Sequence, residues 1–392
     1  LCGDIDRDGI LNSGNSYHVV TTIGVSEFTV VDGFCIMGGY ADGILLDLVG
    51  AGWFNEGSGR GNRSNPTILN SIISGNFALE DGGGMFNNGR NGGEASPSLT
   101  NCILSGNQAS GGGAMFNQGF FGRSSPILVN CIISGNAAGA GGGLFNEGSQ
   151  GQSNPSIINC VLSGNSAGDI GGGLYNEAIN GTCDVIITNS ILWNNQTPLI
   201  AENGVSTTLV TYSIIQSTSL DAGSDITSVT NKPDTDPLFI TPILAGDAPT
   251  SIGNFHVPYQ SSAINMGDDM ANSETEDLDR NPRIQGGQID IGPYEFNAPD
   301  CNLYSGVIYV DTSAVGANNG SNWDSAFTDL QDALQVAFFC DIDSIFVAQG
   351  VYYPGNPDTV FDRCNPGVID TIYLPGRTAS FNILDSLVVL GG

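Results

Sequence analysis

The chain has 392 residues, with 40 acidic side chains against 10 basic ones, a formal net charge of −30. With Lys232 as its one lysine, it lacks the clustered cations that nucleic acid or an anionic membrane surface would demand. No apolar run reaches the roughly 18 residues of a membrane span, and a composition 40% hydrophobic and only 13% charged does not suit a disordered chain. Fifty-six glycines and frequent asparagines disfavour helices and suit a chain that turns often between short strands. The acid is uneven: residues 51–200 hold eight carboxylates and four arginines, a net of −4, which leaves −26 for the rest.

Residues 1–16 read as a lead-in loop. Asp4, Asp6 and Asp8, followed by Gly9, match the first half of an EF-hand-like calcium loop, where alternate carboxylates converge on one cation and glycine permits the turn. The twelfth position is Asn15 instead of a bidentate glutamate, and no helices flank the loop, so calcium binding and a solvated acidic turn both stay open. Tyr17-His18-Val19-Val20 reads as a strand that packs its histidine.

From there a repeat governs the chain. Asn70-Ser71-Ile72-Ile73-Ser74-Gly75-Asn76 returns as Asn101-Cys102-Ile103-Leu104-Ser105-Gly106-Asn107, then from Asn130, Asn159 and Asn189, at steps of 31, 29, 29 and 30 residues. Phe86-Asn87, Phe116-Asn117, Phe145-Asn146 and Tyr175-Asn176 follow glycine-rich runs in the same phase, and Pro66, Pro97, Pro126 and Pro155 each precede the opening asparagine by four residues. Each period offers two or three short β segments and no helix-length pattern. A parallel β-helix is therefore expected, its coils stacked about 4.8 Å apart.

Alternation assigns the faces. Cys102, Cys131 and Cys160, with Leu104, Ile133 and Leu162, should point inward as a thiol stack and an apolar stack. The asparagines should form ladders, and the Phe-Asn pairs an aromatic stack inside. Ile72, Ile103, Ile132, Val161 and Ile191 should point outward. That stripe reflects either plain β-propensity or an interface, with another chain or with a flanking segment. Of the nine cysteines, Cys301, Cys340 and Cys364 lie off the regular coil and are the better bridge candidates, with Cys2 and Cys183 as further ones.

Beyond residue 200 the coil winds down through Thr211-Tyr212-Ser213-Ile214-Ile215. Then come Asp236-Pro237-Leu238-Phe239, Ser262-Ala263-Ile264-Asn265, Asp277-Leu278-Asp279-Arg280-Asn281-Pro282-Arg283 and Asp290-Ile291-Gly292-Pro293-Tyr294-Glu295. Asp277, Asp279 and Asn281 read as a capped turn. In this order the motifs resemble the closing region of secreted bacterial right-handed β-helix proteins of the choice-of-anchor type, substrates of type IX secretion. The Gly-Gly-Gly-Leu-Phe-Asn elements are similar to repeats of polymorphic outer-membrane proteins. The resemblance implies a right-handed, pectate-lyase-like coil, export to the cell surface and an adhesin-like or structural role.

A new start follows at 298–392, so that 17–297 form one β-helix. Val307–Asp311 is strand-like, and Ala326–Leu334 is an amphipathic helix with Leu330, Ala333, Leu334 and Ala337 on one face, capped by Asp324 or Ser325. This segment resembles the N-terminal cap of the same family, placed here at the end. The order reads as one unit of a tandem array cut out of phase, and the start at Leu1 as an excerpt of something longer.

No Ser/His/Asp or Cys/His arrangement stands out, and the coil's acidic positions Glu56, Glu147 and Glu177 drift to Asn88 and Gln118 in equivalent places. The expectation is a non-enzymatic, structural or adhesive module of an extracellular surface protein. It would assemble as a homo-oligomer or with neighbouring tandem units into a fibre or appendage, with calcium as a candidate cofactor and a surface glycan or protein as a candidate target. The alternatives are a calcium-dependent glycan-binding module, with Trp53, Trp193, Phe120 and Phe121 as aromatic candidates, or a polysaccharide lyase or hydrolase.

Overall fold

The computed structural model describes residues 1–197, 199–216, 226–229, 232–233, 235–352, 358–361, 369–372 and 388–391. They divide into two units, Leu1–Phe296 and Asn297–Gly392. The first unit is a right-handed parallel β-solenoid of about 6 turns. Each turn threads three strand columns. One stacks Val20–Ile23, Trp53–Glu56, Met85–Asn88, Met115–Gln118, Leu144–Glu147 and the start of the long strand Leu174–Thr188. A second stacks Val30–Asp32, Thr67–Leu69, Ser98–Thr100, Ile127–Val129 and Ser156–Ile158. The third runs from Cys35–Met37 through Ile72–Ser74, Ile103–Ser105, Ile132–Ser134 and Val161–Ser163 to Ile191–Trp193 and beyond.

The corners explain the composition. Asn70, Asn101, Asn130, Asn159 and Asn189 all take φ between 47° and 56°, the left-handed region that asparagine tolerates. In the glycine triplets, Gly82, Gly112, Gly141 and Gly171 are also left-handed. Their followers face a different constraint, because a Cβ on Gly84 or Gly143 would lie 2.5 Å from a carbonyl oxygen of the next coil. The triplet is thus fixed by one backbone turn and by close coil-to-coil approach.

Inside, Cys102, Cys131, Cys160, Leu104, Ile133 and Leu162 are fully buried, as alternation requires. The cysteines are free thiols, and each one's sulfur accepts from the preceding rung's N–H: Cys102 N donates to Cys131 Sγ at 3.4 Å and Cys131 N to Cys160 Sγ at 3.3 Å. Ser190 and Ser213 continue the same column with hydroxyls. A fully buried amide ladder runs Asn76–Asn107–Asn136–Asn165–Asn195, with Nδ2 to Oδ1 distances of 2.9, 3.0, 2.9 and 2.8 Å. A second runs Asn55–Asn87–Asn117–Asn146–Asn176 and ends on Thr208 Oγ1.

The aromatic stack forms, but on the opposite face from the one expected. Met85 and Asn87 point into the coil, so Phe86 between them must point out. Phe54, Phe86, Phe116, Phe145 and Tyr175 stack along the outer side with centroids 4.5–6.1 Å apart, and the first three, packed with Val49, stay almost fully covered. His18 begins the column, stacked 5.0 Å from Phe54 with Nδ1 facing Gly50 O at 3.1 Å, and burial pushes its pKa down. It is a packed histidine.

The third column's outer stripe is covered by the chain itself. Ile132, Val161, Ile191 and Ile214 are buried under Phe239, Ile243, Phe255, Ala263, Leu278 and Ile291, all from the flanking segment that follows the coil. Ile103 packs at the edge of this cluster, and Ile72 is half-buried. The corner asparagines hold the cover: Asn130 Nδ2 donates to Glu276 O at 3.1 Å, Asn159 Nδ2 to Asp290 O at 3.0 Å and Asn189 Nδ2 to Asp268 O at 3.0 Å. Within the cover, Asp277 Oδ1 accepts from Asp279 N and Asn281 N, the capped turn expected there. Arg283 is buried beside Glu295, and its Nη2 donates to Gly292 O at the third-column face. Burial and the nearby Asp290 push Glu295 up to about 8.

In the second unit Val307–Val310, Ser344–Val347 and Val388–Gly391 form a parallel sheet, and the helix Leu330–Phe339 buries Ala333, Leu334 and Ala337. The helix starts later than the sequence indicates. Its cap is Asp329, whose side chain accepts from Gln331 N, while Trp323–Ser325 forms a separate 3-10 turn capped by Asn322. Cys301 and Cys340 are disulfide-bonded; Cys2 and Cys183, offered as further bridge candidates, are free thiols, and Cys364 lies outside the described residues.

Candidate functional site

Two places concentrate polar chemistry. The first is the lead-in loop. Leu1–Gly3 pairs along Cys35–Met37, with Gly3 N donating to Met37 O at 2.8 Å, and this anchors the acidic turn to the first coil. Asp4 Oδ2 accepts from Gly9 N at 3.0 Å and Asp8 Oδ1 from Ile10 N at 2.7 Å, so the backbone wraps around the carboxylates. Asp4, Asp6 and Asp8 each bring an oxygen to within 4.8 Å of the others. Their crowding shows in the protonation. Desolvation and then the neighbouring Asp4 carboxyl raise the pKa of Asp6. For Asp4, desolvation pulls upward, but the N–H of Gly9 and other donors outweigh it and the pKa falls.

Asn15, at the twelfth position, is buried. Its Nδ2 donates to Gly38 O at 2.7 Å, while its Oδ1 has no hydrogen-bond partner. A buried, unpartnered amide oxygen stands where an EF-hand supplies its last ligand. The three clustered carboxylate oxygens are donors of the kind a hard divalent cation takes.

The second place lies on the outer face of the first column, beside the aromatic stack. Glu56, Asn88, Gln118, Glu147 and Glu177 occupy one in-register position on successive coils. Asn88 Nδ2 donates to Glu56 Oε2 at 2.8 Å and Gln118 Nε2 to Glu147 Oε2 at 3.1 Å. Desolvation raises the pKa of Glu147, with Glu177 adding repulsion. Across the rings, Asp81 sits against Phe116 and Phe145, and burial, with repulsion from Glu80 and Glu147, pushes it up to about 7. The drift along this position, which reads in sequence as tolerant turn surface, is in the fold an in-register column with two hydrogen-bonded amide–carboxylate pairs.

Of the aromatic candidates, Trp53 is fully buried and donates Nε1–H to Thr22 Oγ1 at 2.8 Å, and Trp193 packs at the edge of the cover. Phe120 and Phe121 make an edge-on pair at a coil corner, with Phe121 half exposed. The loop spacing marks Asn15 in sequence, but neither its unpartnered oxygen nor the raised pKa of Asp81 has a sequence signal, since both arise from burial. Set against known proteins, the chain matches no family model, no curated protein and no solved structure.

Proposed function

We propose that this chain is a non-enzymatic structural and adhesive module of an extracellular surface protein, whose units associate end to end. The observation that carries this reading is the distribution of apolar surface. The lateral stripe is covered within the chain, whereas the first coil is an edge. Among the described strands, Val20–Ile23 and Val30–Asp32 each pair on one side only, and Ile23 (68%), Phe28 (85%) and Val30 (54%) are exposed there. An unpaired, apolar β edge is a template for another strand-bearing surface, and the partner we assign is a neighbouring unit of the same kind. The Cys301–Cys340 disulfide is in keeping with an oxidising, extracellular setting. Calcium at Asp4, Asp6, Asp8 and Asn15 would stiffen the loop that flanks this same edge.

Sedimentation velocity of the full chain across a concentration series tests the reading. Growth to larger species, abolished by Phe28→Asp with Val30→Asp, supports it; a monomer at every concentration overturns it. Calorimetry tests the loop, where equal calcium heats from parent and Asp6→Ala would end that part.

A second reading, polysaccharide hydrolysis, is favoured by one observation. Asp81, whose pKa burial raises to about 7, lies within electrostatic reach of Glu147, and Glu147 and Glu177 are in-register neighbours. An acid beside a carboxylate is the pairing that glycoside hydrolysis uses. Release of reducing sugar from an acidic polysaccharide, lost in Glu147→Gln, would establish it.

A further inference from the structure

Where the chain turns out of the first strand column, one corner position is left-handed on every coil. The backbone hydrogen bonds place Gly59, Asn91, Phe121, Gln150 and Asn180 in register there, with φ of 94°, 59°, 52°, 56° and 57°. Glycine and asparagine tolerate this conformation, whereas a bulky aromatic residue is strained in it. Burial does not offset the strain, because Phe121 is 51% exposed, its ring set edge-on to Phe120 at 4.5 Å. The side chains around the ring are polar and open. Asn91, Gln150 and Asn180, with Gln152 on the next coil, are all exposed, and among the described residues none spends its amide on a hydrogen bond, unlike the asparagines of the ladders. All four arginines of residues 51–200 gather at the same corner. Arg60 and Arg90 adjoin the turn position, and Arg63 and Arg123 lie on the bridge row Arg63–Glu94–Arg123–Gln152. Arg63 pairs with Glu94 at 3.4 Å and Arg90 acts on Glu147. Arg60 and Arg123 are exposed and join no ion pair among the described residues.

We propose that this corner binds an acidic polysaccharide, with a sugar ring laid on Phe121 and a uronate carboxylate held by Arg123. An exposed aromatic face takes the C–H face of a sugar, free amides exchange hydrogen bonds with its hydroxyls, and a guanidinium grips a carboxylate through two parallel N–H bonds. A single exposed phenylalanine is too small an apolar patch for a protein interface. On a chain of net charge −30, an anion is drawn only to a place where cations gather. The platform is also built in advance. A Cβ on Gly122 or Gly151 would lie 2.0 Å from Gly89 O or Gly119 O, so the coils at this corner are packed backbone to backbone. The inference rests on the adhesive part of the proposed function and names its ligand class; it uses neither the first-coil edge nor calcium.

The test is calorimetry of the full chain in EDTA, with alginate oligomers as the polyuronate and dextran as the neutral comparison. Alginate should bind, and dextran at least tenfold more weakly. Phe121→Asn gives this coil the residue of its neighbour; it should unfold at the same temperature or higher, yet lose alginate affinity at least tenfold. Arg123→Gln, which copies Gln152, should weaken alginate about tenfold and flatten the salt dependence of binding. The proposal is overturned if the parent takes no alginate in EDTA, if dextran binds as tightly, or if Phe121→Asn binds as the parent does. It is also overturned if Phe121→Asn changes the sedimentation of the chain, since the corner would then belong to a contact between copies. Phe28→Asp with Val30→Asp should leave the alginate stoichiometry unchanged, so the corner and the end-to-end edge fail separately.

Discussion

Asn136 is the middle rung of the buried amide ladder, and its truncation measures what that ladder contributes. Its Oδ1 accepts from Asn107 N at 3.0 Å and Asn107 Nδ2 at 3.0 Å; its Nδ2 donates to Asn165 Oδ1 at 2.9 Å and to Leu104 O at 3.0 Å. Asn136→Ala removes the acceptor for both Asn107 donors in a site with no access to water. An orphaned buried group costs about 1–3 kcal/mol; Asn107 N loses its acceptor while Asn107 Nδ2 keeps Ile73 O at 2.9 Å, so the lost bonds and the small cavity together predict a loss of about 3 kcal/mol. Asn136→Asp should cost more, because a carboxylate would face Leu104 O, Ser134 O and Asn165 Oδ1, all acceptors. The exposed Asn62→Ala should change stability by less than about 0.5 kcal/mol. Urea unfolding followed by circular dichroism reads all three. A loss below about 1 kcal/mol for Asn136→Ala, or an aspartate better tolerated than alanine, would refute the ladder's role.

Further outcomes follow from the cover and from the buried charges. Val161→Asp puts a carboxylate under the cover, so limited proteolysis should cut within 237–296 while the coil's dichroism persists; cleavage unchanged from the parent would contradict the covered stripe. Arg283→Met leaves Asp277, Asp290 and Glu295 without their buried counter-charge and should cost about 3–5 kcal/mol in thermal or urea unfolding. Asp81 has a folded pKa raised from 3.8 to about 7. Its contribution is therefore present in full below about pH 4 and is lost as pH rises toward 7. At about 1.36 kcal/mol per pH unit this amounts to about 4 kcal/mol at most. Asp81→Asn should thus match the parent near pH 4 and exceed it by about 2–4 kcal/mol at pH 8; an equal difference at both pH values would contradict the assignment.

The coil was legible because its information is local and repeated. An asparagine, three residues with an apolar pair, then Ser-Gly-Asn, four times at steps near 30, states the strand, its inward face and its corner at once. The inversion of the aromatic stack was also within reach: Phe86 and Asn87 are adjacent and cannot share a face, and only the asparagine finds a partner on every coil inside. The cover was not legible. Residues 237–296 have no repeat and almost no regular pairing, and their contacts, such as Asn130 with Glu276, join positions 146 residues apart. A flanking segment is one occupant the Ile72–Ile191 stripe allows, but nothing in a β-branched row distinguishes a neighbour in the chain from a neighbour in solution. Asp4, Asp6 and Asp8 were visible as a pattern, while the unpartnered oxygen of Asn15 and the left-handed turn at Phe121 arise only from burial and register.

End-to-end association would leave the unpaired first-coil edge buried between units, and electron microscopy of the full chain tests that directly. The expected images are single-file rods in which units meet coil end to coil end, with the covered third-column face turned to solvent along the whole length. Side-by-side sheets joined through that face, or dispersed monomers with no axial contact, would contradict it.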